Sequence, residues 1–262
     1  MEQTKQALSG DFLALLKECR LISEVPPRST GHSEFTDTTA TTILGFKFAG
    51  GVLIAGDRRA TAGNVVMYDR ADKVLEIDQH SVMAIAGSPA TAWEMARILE
   101  HSFQFYRRSQ LQEMSVEGKV RALSKLLRDN LGMVIQGVGV VVPLFVTYDK
   151  GGADPAKVFF YDAMGAQFEA ADYASSGSGS SAVRSVLYYE NSWGAQSLRD
   201  RSRDDAILLA LRALDTAAEA DTATGGIDRH GRIFPIIKIV TETGIETVTD
   251  EKLSELFQAQ IA

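Results

Sequence analysis

The stretch TTILGFKFAGGVLIAGDRR, residues 41–59, contains two short apolar runs separated by Ala49-Gly50-Gly51. Two apolar runs that flank a glycine pair are typical of a β-hairpin. The second run ends in Asp57-Arg58-Arg59, so the chain places charged side chains at the end of a strand. Lys73 follows just before another apolar run. We therefore expect paired strands to bring together a threonine hydroxyl, a carboxylate and an amine, a combination that suits a nucleophile site.

The composition limits what the chain does. Its 262 residues can bury a sizeable core, and its net charge of −7, with both signs interspersed, argues against a nucleic-acid partner. The single cysteine, Cys19, excludes an internal disulfide and suits a reducing compartment. No apolar run has the length of a membrane span, and the apolar residues 12–16 form a poor secretory signal. We expect a cytoplasmic protein with no membrane partner.

The remaining pattern predicts strands and helices in separate groups. Apolar runs predict strands at residues 74–77, 81–86, 140–146, 158–161 and 233–240, the last an edge strand or bulge because of Pro235. Helical spacing predicts one helix after Ser88-Pro89, a second through residues 120–134, then helices near residues 183–187, 207–218 and after 249–250. Clustered strands and clustered helices favour an α+β fold over alternating βαβ units.

Three motifs together resemble the start of the mature catalytic β subunit of the 20S proteasome, above all the bacterial, actinobacterial type: Thr41-Thr42-Ile43, Gly50-Gly51 and Gly56-Asp57-Arg58-Arg59. The resemblance extends to the last predicted helix. It implies a four-layer αββα sandwich of two antiparallel sheets flanked by helix pairs. It also implies that residues 41–262 form an N-terminal-nucleophile hydrolase domain, and that residues 1–40 are a propeptide. Composition alone makes residues 1–40 a disordered tail with one amphipathic turn.

Thr41 is the expected nucleophile. A threonine hydroxyl is weak until a base removes its proton. Cleavage before Thr41 would free an α-amine, with a reference pKa near ~8, on the same residue as the hydroxyl. The β-branched side chain has few χ1 states, which aims the hydroxyl. The amine is therefore the expected base, directly or through a water.

The resemblance implies roles for six more residues. Lys73 would stabilise the alkoxide and keep the amine neutral, Asp57 would hold Lys73, and the backbone N–H of Gly87 would be an oxyanion donor. The other three would support the amine: Ser178, Asp221 and Thr224, the last where many family members have serine. Without the family, Asp57 and Lys73 form a surface ion pair. Gly87 is then a turn glycine, Ser178 lies in a flexible turn, and Asp221 ends a helix.

The resemblance also implies an apolar pocket for the substrate residue before the scissile bond, which would prefer apolar side chains of moderate size. Thr61 would hydrogen-bond the peptide backbone. Leu75 and Ile85 fit a place in the core equally well. The pocket residues implied are Ala60, Ala71, Leu75, Ile85 and Pro89.

One position departs from the family pattern. The residue before the nucleophile is normally glycine in active members, and here it is Ala40. Self-cleavage between Ala40 and Thr41 requires a tight backbone geometry that glycine reaches more easily than alanine. We therefore expect slower processing rather than none.

The four histidines show no metal-ligand spacing, and the chain has neither a P-loop nor a dinucleotide glycine pattern, so we expect no metal and no cofactor. The leading interpretation is a threonine-type endopeptidase subunit of the proteasome. The resemblance implies seven-membered β rings between rings of α-type subunits, and unfolded substrates delivered by a regulatory ATPase. Two alternatives stay open: the peptidase of a simpler two-ring ATP-dependent protease, and a catalytically silent ring subunit that keeps its propeptide because of Ala40.

Overall fold

The computed structural model describes residues 41–62, 65–228 and 233–259, together with residues 12, 15, 16 and 19. Within these residues the strands are β1 Thr42–Phe48, β2 Gly51–Gly56, β3 Ala60–Ala62, β4 Val65–Tyr68, β5 Val74–Asp78, β6 Ser81–Ala84, β7 Leu144–Tyr148, β8 Ala156–Tyr161, β9 Gln167–Ala170, β10 Tyr173–Gly177, β11 Ile236–Thr241 and β12 Gly244–Thr247. The helices are α1 Pro89–Gln110, α2 Val116–Asp129, α3 Leu131–Ile135, α4 Ser180–Trp193, α5 Arg203–Ala220 and α6 Asp250–Gln258, with a 3₁₀ turn at Leu198–Asp200.

The strands form two five-stranded sheets and a separate hairpin. The first sheet has the order β10-β1-β2-β11-β12, the second has the order β5-β6-β7-β8-β9, and β3 pairs with β4 alone. Every pairing is antiparallel. The predicted hairpin within residues 41–59 is confirmed as β1 and β2, which turn at Gly50 with a positive φ of 101°. The sequence therefore places Thr41 and Asp57 at the same end of one hairpin.

Alternating side chains divide the core into three apolar layers. In β1, Leu44 and Phe46 pack with α4, α5 and α6, whereas Ile43 points between the sheets. In β7, Phe145 packs with α1 and α2, whereas Val146 points between the sheets. Side chains alternate along a strand, so sheets buried on both faces give this pattern. The layers lie in the order helices, sheet, sheet, helices, and the predicted αββα sandwich is confirmed.

Proline residues explain two differences from the predicted strands. The strand predicted at residues 140–146 begins only at Leu144, after Pro143, and Val141 makes a single bridge to Gly87. The strand predicted at residues 233–240 begins at Ile236, after Pro235. It lies inside its sheet between β2 and β12, so the prediction of an edge strand was wrong. Pro235 lacks an N–H donor and stands just outside the ladder, where none is needed.

The helices follow the prediction with two changes. The second predicted helix is two helices, because α2 ends at Asp129 and Asn130 separates it from α3. Ser88 is the N-cap residue of α1 with Pro89 next, as predicted, but its hydroxyl accepts a bond from Thr91 Oγ1 at 3.3 Å rather than from the helix backbone. No helix in the described part of the chain combines the length and apolar character needed to cross a bilayer.

Candidate active site

The backbone of Thr41 is held at the start of β1 by the loop that follows β10. Thr41 is only 4 % exposed. Its carbonyl oxygen accepts a bond from the backbone N–H of Ser178 at 2.9 Å, and the Ser178 hydroxyl oxygen lies 3.4 Å from it. Ser178 therefore lies directly beside Thr41, which fixes one side of the predicted nucleophile.

Asp57 follows β2 and is completely buried. Its Oδ1 accepts bonds from Thr42 N at 2.9 Å and from Lys73 Nζ at 2.8 Å. Its Oδ2 accepts bonds from the backbone N–H groups of Arg59 and Gly225, both at 2.9 Å. Four donors, three of them backbone groups, satisfy the buried carboxylate and fix its plane.

Lys73 lies just before β5 and is 5 % exposed. Besides Asp57, its ammonium donates to the carbonyl oxygen of Arg59. Burial lowers the pKa of Lys73 below its ordinary value of 10.5, and the charge and hydrogen bond of Asp57 offset only part of that effect. The site thus holds one buried cation in a fixed position beside Thr42, the first residue of β1, because Asp57 bonds to both.

A chain of hydroxyl groups leads from β1 to Asp221. The N–H of Gly179 donates to Thr42 Oγ1 at 2.9 Å, and Thr42 Oγ1 lies 2.5 Å from Thr224 Oγ1. Thr224 Oγ1 donates to Asp221 Oδ2 at 2.6 Å, and Ser178 Oγ donates to the same oxygen at 2.5 Å. Because Thr224 uses its only proton on Asp221, Thr42 is the donor in the contact between the two threonines.

Asp221 is the charged end of this chain. Partial burial opposes its ionisation, but bonds from the hydroxyls of Ser178 and Thr224 and from the N–H of Ala223 lower the pKa of Asp221 below its usual 3.8 overall. The carboxylate therefore remains an anionic acceptor at neutral pH, and it orients both hydroxyls that contact it.

Gly87 occupies a position that only glycine fits. Its φ is +109°, and a Cβ there would lie 2.0 Å from the carbonyl oxygen of Val140. The bonds that join this segment to residues 140–142 come from its neighbours: Ser88 N donates to Val140 O, and Val142 N donates to Ala86 O, both at 2.8 Å. The N–H of Gly87 is not used in that bridge, which suits a donor to an oxyanion.

Thr41, Lys73 and Gly87 line one cleft of about 340 Å³. Four of the predicted pocket residues line it as well: Ala60, Ala71, Ile85 and Pro89. Thr61 is buried in β3, next to Ala60. Leu75 packs against the core beside α1 and lines a neighbouring depression that shares Trp93 with the cleft. The cleft walls also contain Tyr68, Ser88, Ala90 and Trp93, which the sequence analysis did not predict.

The structure brings together, at one end of the sheets, the seven residues predicted for catalysis: Thr41, Asp57, Lys73, Gly87, Ser178, Asp221 and Thr224. Ala40 and most of the predicted propeptide lie outside the described residues.

Sequence reasoning missed Thr42, Arg59 and Gly225, which complete the hydrogen bonds around Asp57 and Thr224. Arg59 also donates to the carbonyl oxygens of Thr222 and Thr224, at 2.9 and 3.2 Å. The charged Asp-Arg-Arg cluster was the one available signal for Arg59.

Comparisons with known proteins agree on one family. The family model described as "Proteasome subunit" matches residues 38–229. A protein of Streptosporangium roseum named "Proteasome subunit beta" is 40 % identical over 217 residues, 82 % of this chain and 73 % of the relative. Proteins with the same name from Streptomyces griseus and Acidothermus cellulolyticus are 38 % and 36 % identical, cover 82 % and 85 % of this chain, and are themselves covered over 74 % and 75 % of their lengths.

Proposed function

The chain belongs to the proteasome subunit family as a β subunit, and from this premise we propose that it is a proteolytic subunit, a threonine-type endopeptidase that degrades unfolded proteins. The observation that supports this most is the buried site at Thr41. There the Asp57–Lys73 pair and the Ser178–Asp221 pair both adjoin the start of β1. A ring subunit without activity has no evident need for both pairs.

In the proposed reaction the free α-amine of mature Thr41 takes the proton of the Thr41 hydroxyl, directly or through a water. The Oγ attacks the scissile carbonyl, and the N–H of Gly87 stabilises the oxyanion of the tetrahedral intermediate. Collapse passes the proton to the leaving amine and leaves an ester on Thr41. Water, activated by the same amine, then hydrolyses the ester and restores the hydroxyl.

Lys73 acts electrostatically in this scheme. Its ammonium stabilises negative charge developing on Thr41 Oγ and disfavours a second positive charge on the α-amine, which therefore stays a neutral base. Asp57 keeps Lys73 in place because its other three donors are backbone groups that cannot turn away. Ser178, which contacts the carbonyl oxygen of Thr41 and donates to Asp221, supports the amine in this scheme.

The cleft favours an apolar residue before the scissile bond. Its walls combine small residues, Ala60 and Ala71, with Ile85 and with the rings of Tyr68 and Trp93. Such walls accept an apolar side chain of moderate size, and Lys73, the one charged residue among the described residues that line the cleft, is already paired with Asp57. Thr61 and Leu75, predicted to contact the peptide, remain proposals.

Activation requires removal of residues 1–40. The Thr41 hydroxyl attacks the Ala40 carbonyl, the peptide bond becomes an ester, and water cleaves the ester to release the propeptide and the Thr41 amine. Because Ala40 resists the backbone geometry that glycine allows, this step is slow in the wild type. If it fails altogether, the chain is the catalytically silent ring subunit.

The experiment is co-expression with a candidate α-type subunit, followed by N-terminal sequencing and by labelling with a threonine-directed covalent inhibitor. We expect a new N-terminus at Thr41 and an adduct on that residue. Ala40→Gly is expected to mature several-fold faster, and Thr41→Ala should keep residues 1–40 and take up no inhibitor. A chain that stays full length and unlabelled in the assembled particle would contradict the proposal.

The partners follow from the same resemblance. We propose seven-membered β rings stacked between rings of α-type subunits, a regulatory ATPase that delivers unfolded chains, and a cytoplasmic location. A barrel that encloses the cleft would restrict an unselective peptidase to substrates that are threaded into it. A particle with β rings but no α rings would instead support the simpler two-ring protease.

A further inference from the structure

The candidate active site is divided between the two sheets. Thr41 and Asp57 adjoin β1 and β2 of the first sheet, and Ser178 follows β10 of the same sheet. Lys73 precedes β5 and Gly87 follows β6, both in the second sheet. The distance from nucleophile to oxyanion donor therefore depends on how the two sheets are held together at this end.

Residues 140–142 are bonded to both sheets at this end, and they belong to a connection outside the helices and the named strands. Without a ladder of its own, such a segment takes its position from tertiary hydrogen bonds. The Asn130 side chain donates to Gly139 O at 2.7 Å and fixes the preceding turn. The bridge to Gly87 fixes the segment to the second sheet.

Ser176 fixes the segment to the first sheet. The Ser176 hydroxyl donates to the carbonyl oxygen of Val142 at 2.8 Å. Ser176 lies in β10, two residues before Ser178, and is 8 % exposed. Its neighbour on the same strand face, Ala174, belongs to the apolar layer between the sheets. A hydroxyl on that face is costly unless it is paired, and Val142 provides the partner.

Val142 therefore connects both halves of the site through its own two backbone groups. Its N–H bonds to Ala86 O at 2.8 Å, next to Gly87, and its carbonyl oxygen accepts the bond from Ser176. We infer that Ser176 is a positioning residue for the oxyanion donor: its hydroxyl fixes residues 140–142 against β10 and so sets the position of Gly87 relative to Thr41. The inference rests on the proposed function, because it assigns Gly87 a role in hydrolysis.

The same strand provides a matched control. Ser175 lies on the opposite face of β10, and its hydroxyl donates to Ser180 O at 3.1 Å, at the start of α4. Removing that hydroxyl also deletes one partly buried side-chain bond, but not one that leads to Gly87. Ser176→Ala and Ser175→Ala therefore each remove one bond from a serine hydroxyl to a backbone carbonyl. They differ in the segment to which that bond leads.

The test uses the mature particle, assembled with its α-type partner and assayed with a fluorogenic peptide that has an apolar residue before the cleaved bond. For Ser176→Ala we expect kcat to fall about tenfold and KM to change by no more than about twofold. This fall in kcat is smaller than the hundredfold or more expected for deleting an oxyanion donor, because Gly87 is displaced rather than removed. A peptide aldehyde, whose adduct with Thr41 has an oxyanion, should bind about tenfold more weakly. Ser175→Ala loses a bond across the loop that holds Thr41 but none that leads to Gly87, so it should stay within about twofold of the wild type in both measurements.

Two further variants separate positioning from packing. Ser176→Thr keeps the hydroxyl and should recover most of kcat, and Ser176→Cys keeps the volume but donates weakly, so it should fall between alanine and wild type. Equal kcat and aldehyde affinity in Ser176→Ala and Ser175→Ala, in an active particle, would overturn the inference alone. A wild-type particle that forms but neither hydrolyses peptide nor binds inhibitor would overturn the proposed function, and this inference with it.

Discussion

Strand β1 has a buried lysine near each end, and the two lysines have different surroundings. Near Thr41, Lys73 bonds to Asp57, whose side chain is 0 % exposed. At the far end, Lys47 bonds to Asp154 at 2.9 Å, and Asp154 is 41 % exposed. The lysine side chains themselves are similarly buried, at 6 % and 3 %. The burial of a lysine therefore does not distinguish the two ends.

The carboxylates distinguish them. Asp57 has two side-chain oxygens occupied by four donors, three of them rigid backbone groups. Asp154 is shared between Lys47 and the half-exposed side chain of Arg199, which also bonds to Asp172. Water competes at Asp154 and is excluded at Asp57. A cation fixed in a dry site interacts more strongly with charge developing nearby, so the surroundings of Asp57 suit the proposed catalysis better than those of Asp154.

The largest expected contrast is in hydrolysis by two matched variants. Lys73→Met and Lys47→Met each remove one buried ammonium and keep most of the apolar stem. In the mature particle, Lys73→Met should lower kcat/KM by about a thousandfold or more, because it removes the cation beside the proposed nucleophile. Lys47→Met should stay within about twofold of wild type, as measured with the same fluorogenic peptide. A comparable loss in both variants would show that the Lys73 effect is structural.

The second contrast is in stability. Asp57→Asn replaces an oxygen that accepts two bonds with an amide nitrogen that accepts none, and it leaves Lys73 buried without its counter-charge. We expect it to lower the free energy of unfolding by about 3–5 kcal/mol. Asp154→Asn should cost about 1 kcal/mol or less, because the pair is partly exposed and water replaces the lost contacts. Urea unfolding of the two variants measures both; equal midpoints would contradict the distinction between the ends.

The local sequence pattern was enough to predict the β1–β2 hairpin, which holds Thr41 and Asp57 at one end. Alternating apolar residues and the Gly50-Gly51 turn placed Thr41 and Asp57 side by side, and the strand order confirmed it. The position of Lys73 needed the pairing between sheets, which no local signal encodes, and came from the resemblance. The same holds for Asp221, which lies 164 residues after Asp57, by the difference of their positions, yet joins the same cluster through Thr224 and Gly225.

Other features could not be read from the sequence because backbone geometry decides them. The donors to Asp57 are mostly main-chain N–H groups, which every residue except proline has. The Ser176 hydroxyl looks like any polar residue in a strand until its partner, Val142 O, is known. The part that Trp93 plays in lining the cleft could not be predicted either. The helix α1 was predicted from the spacing of its buried residues, and Trp93 reaches the cleft from that helix.

The third contrast concerns alkaline pH. Burial lowers the pKa of Lys73 below 10.5, so kcat should fall as the pH rises through a value below 10.5, where the ammonium loses its proton. Between that value and 10.5 an unfolded chain keeps a lysine proton that the folded chain has released. The contribution of Lys73 to the free energy of unfolding therefore increases with pH in this range. A loss of activity in the same range cannot be explained by Lys73 destabilising the fold. In Lys47→Met, kcat should fall at alkaline pH as it does in the wild type. A wild-type kcat that stays constant beyond pH 10.5 would contradict the role of Lys73.

The smallest expected effect is at acid pH, at the far end of β1. Hydrogen bonds from Arg199 and then Lys47 lower the pKa of Asp154 from 3.8 to about 2. A carboxyl group with a lowered folded pKa contributes stability that is complete above 3.8 and is lost as the pH falls toward about 2. The unfolding free energies of wild type and Asp154→Asn should therefore differ at pH 6 and converge near pH 2. Because the pair is partly exposed, the difference should also shrink in high salt, whereas the Asp57→Asn difference should persist there.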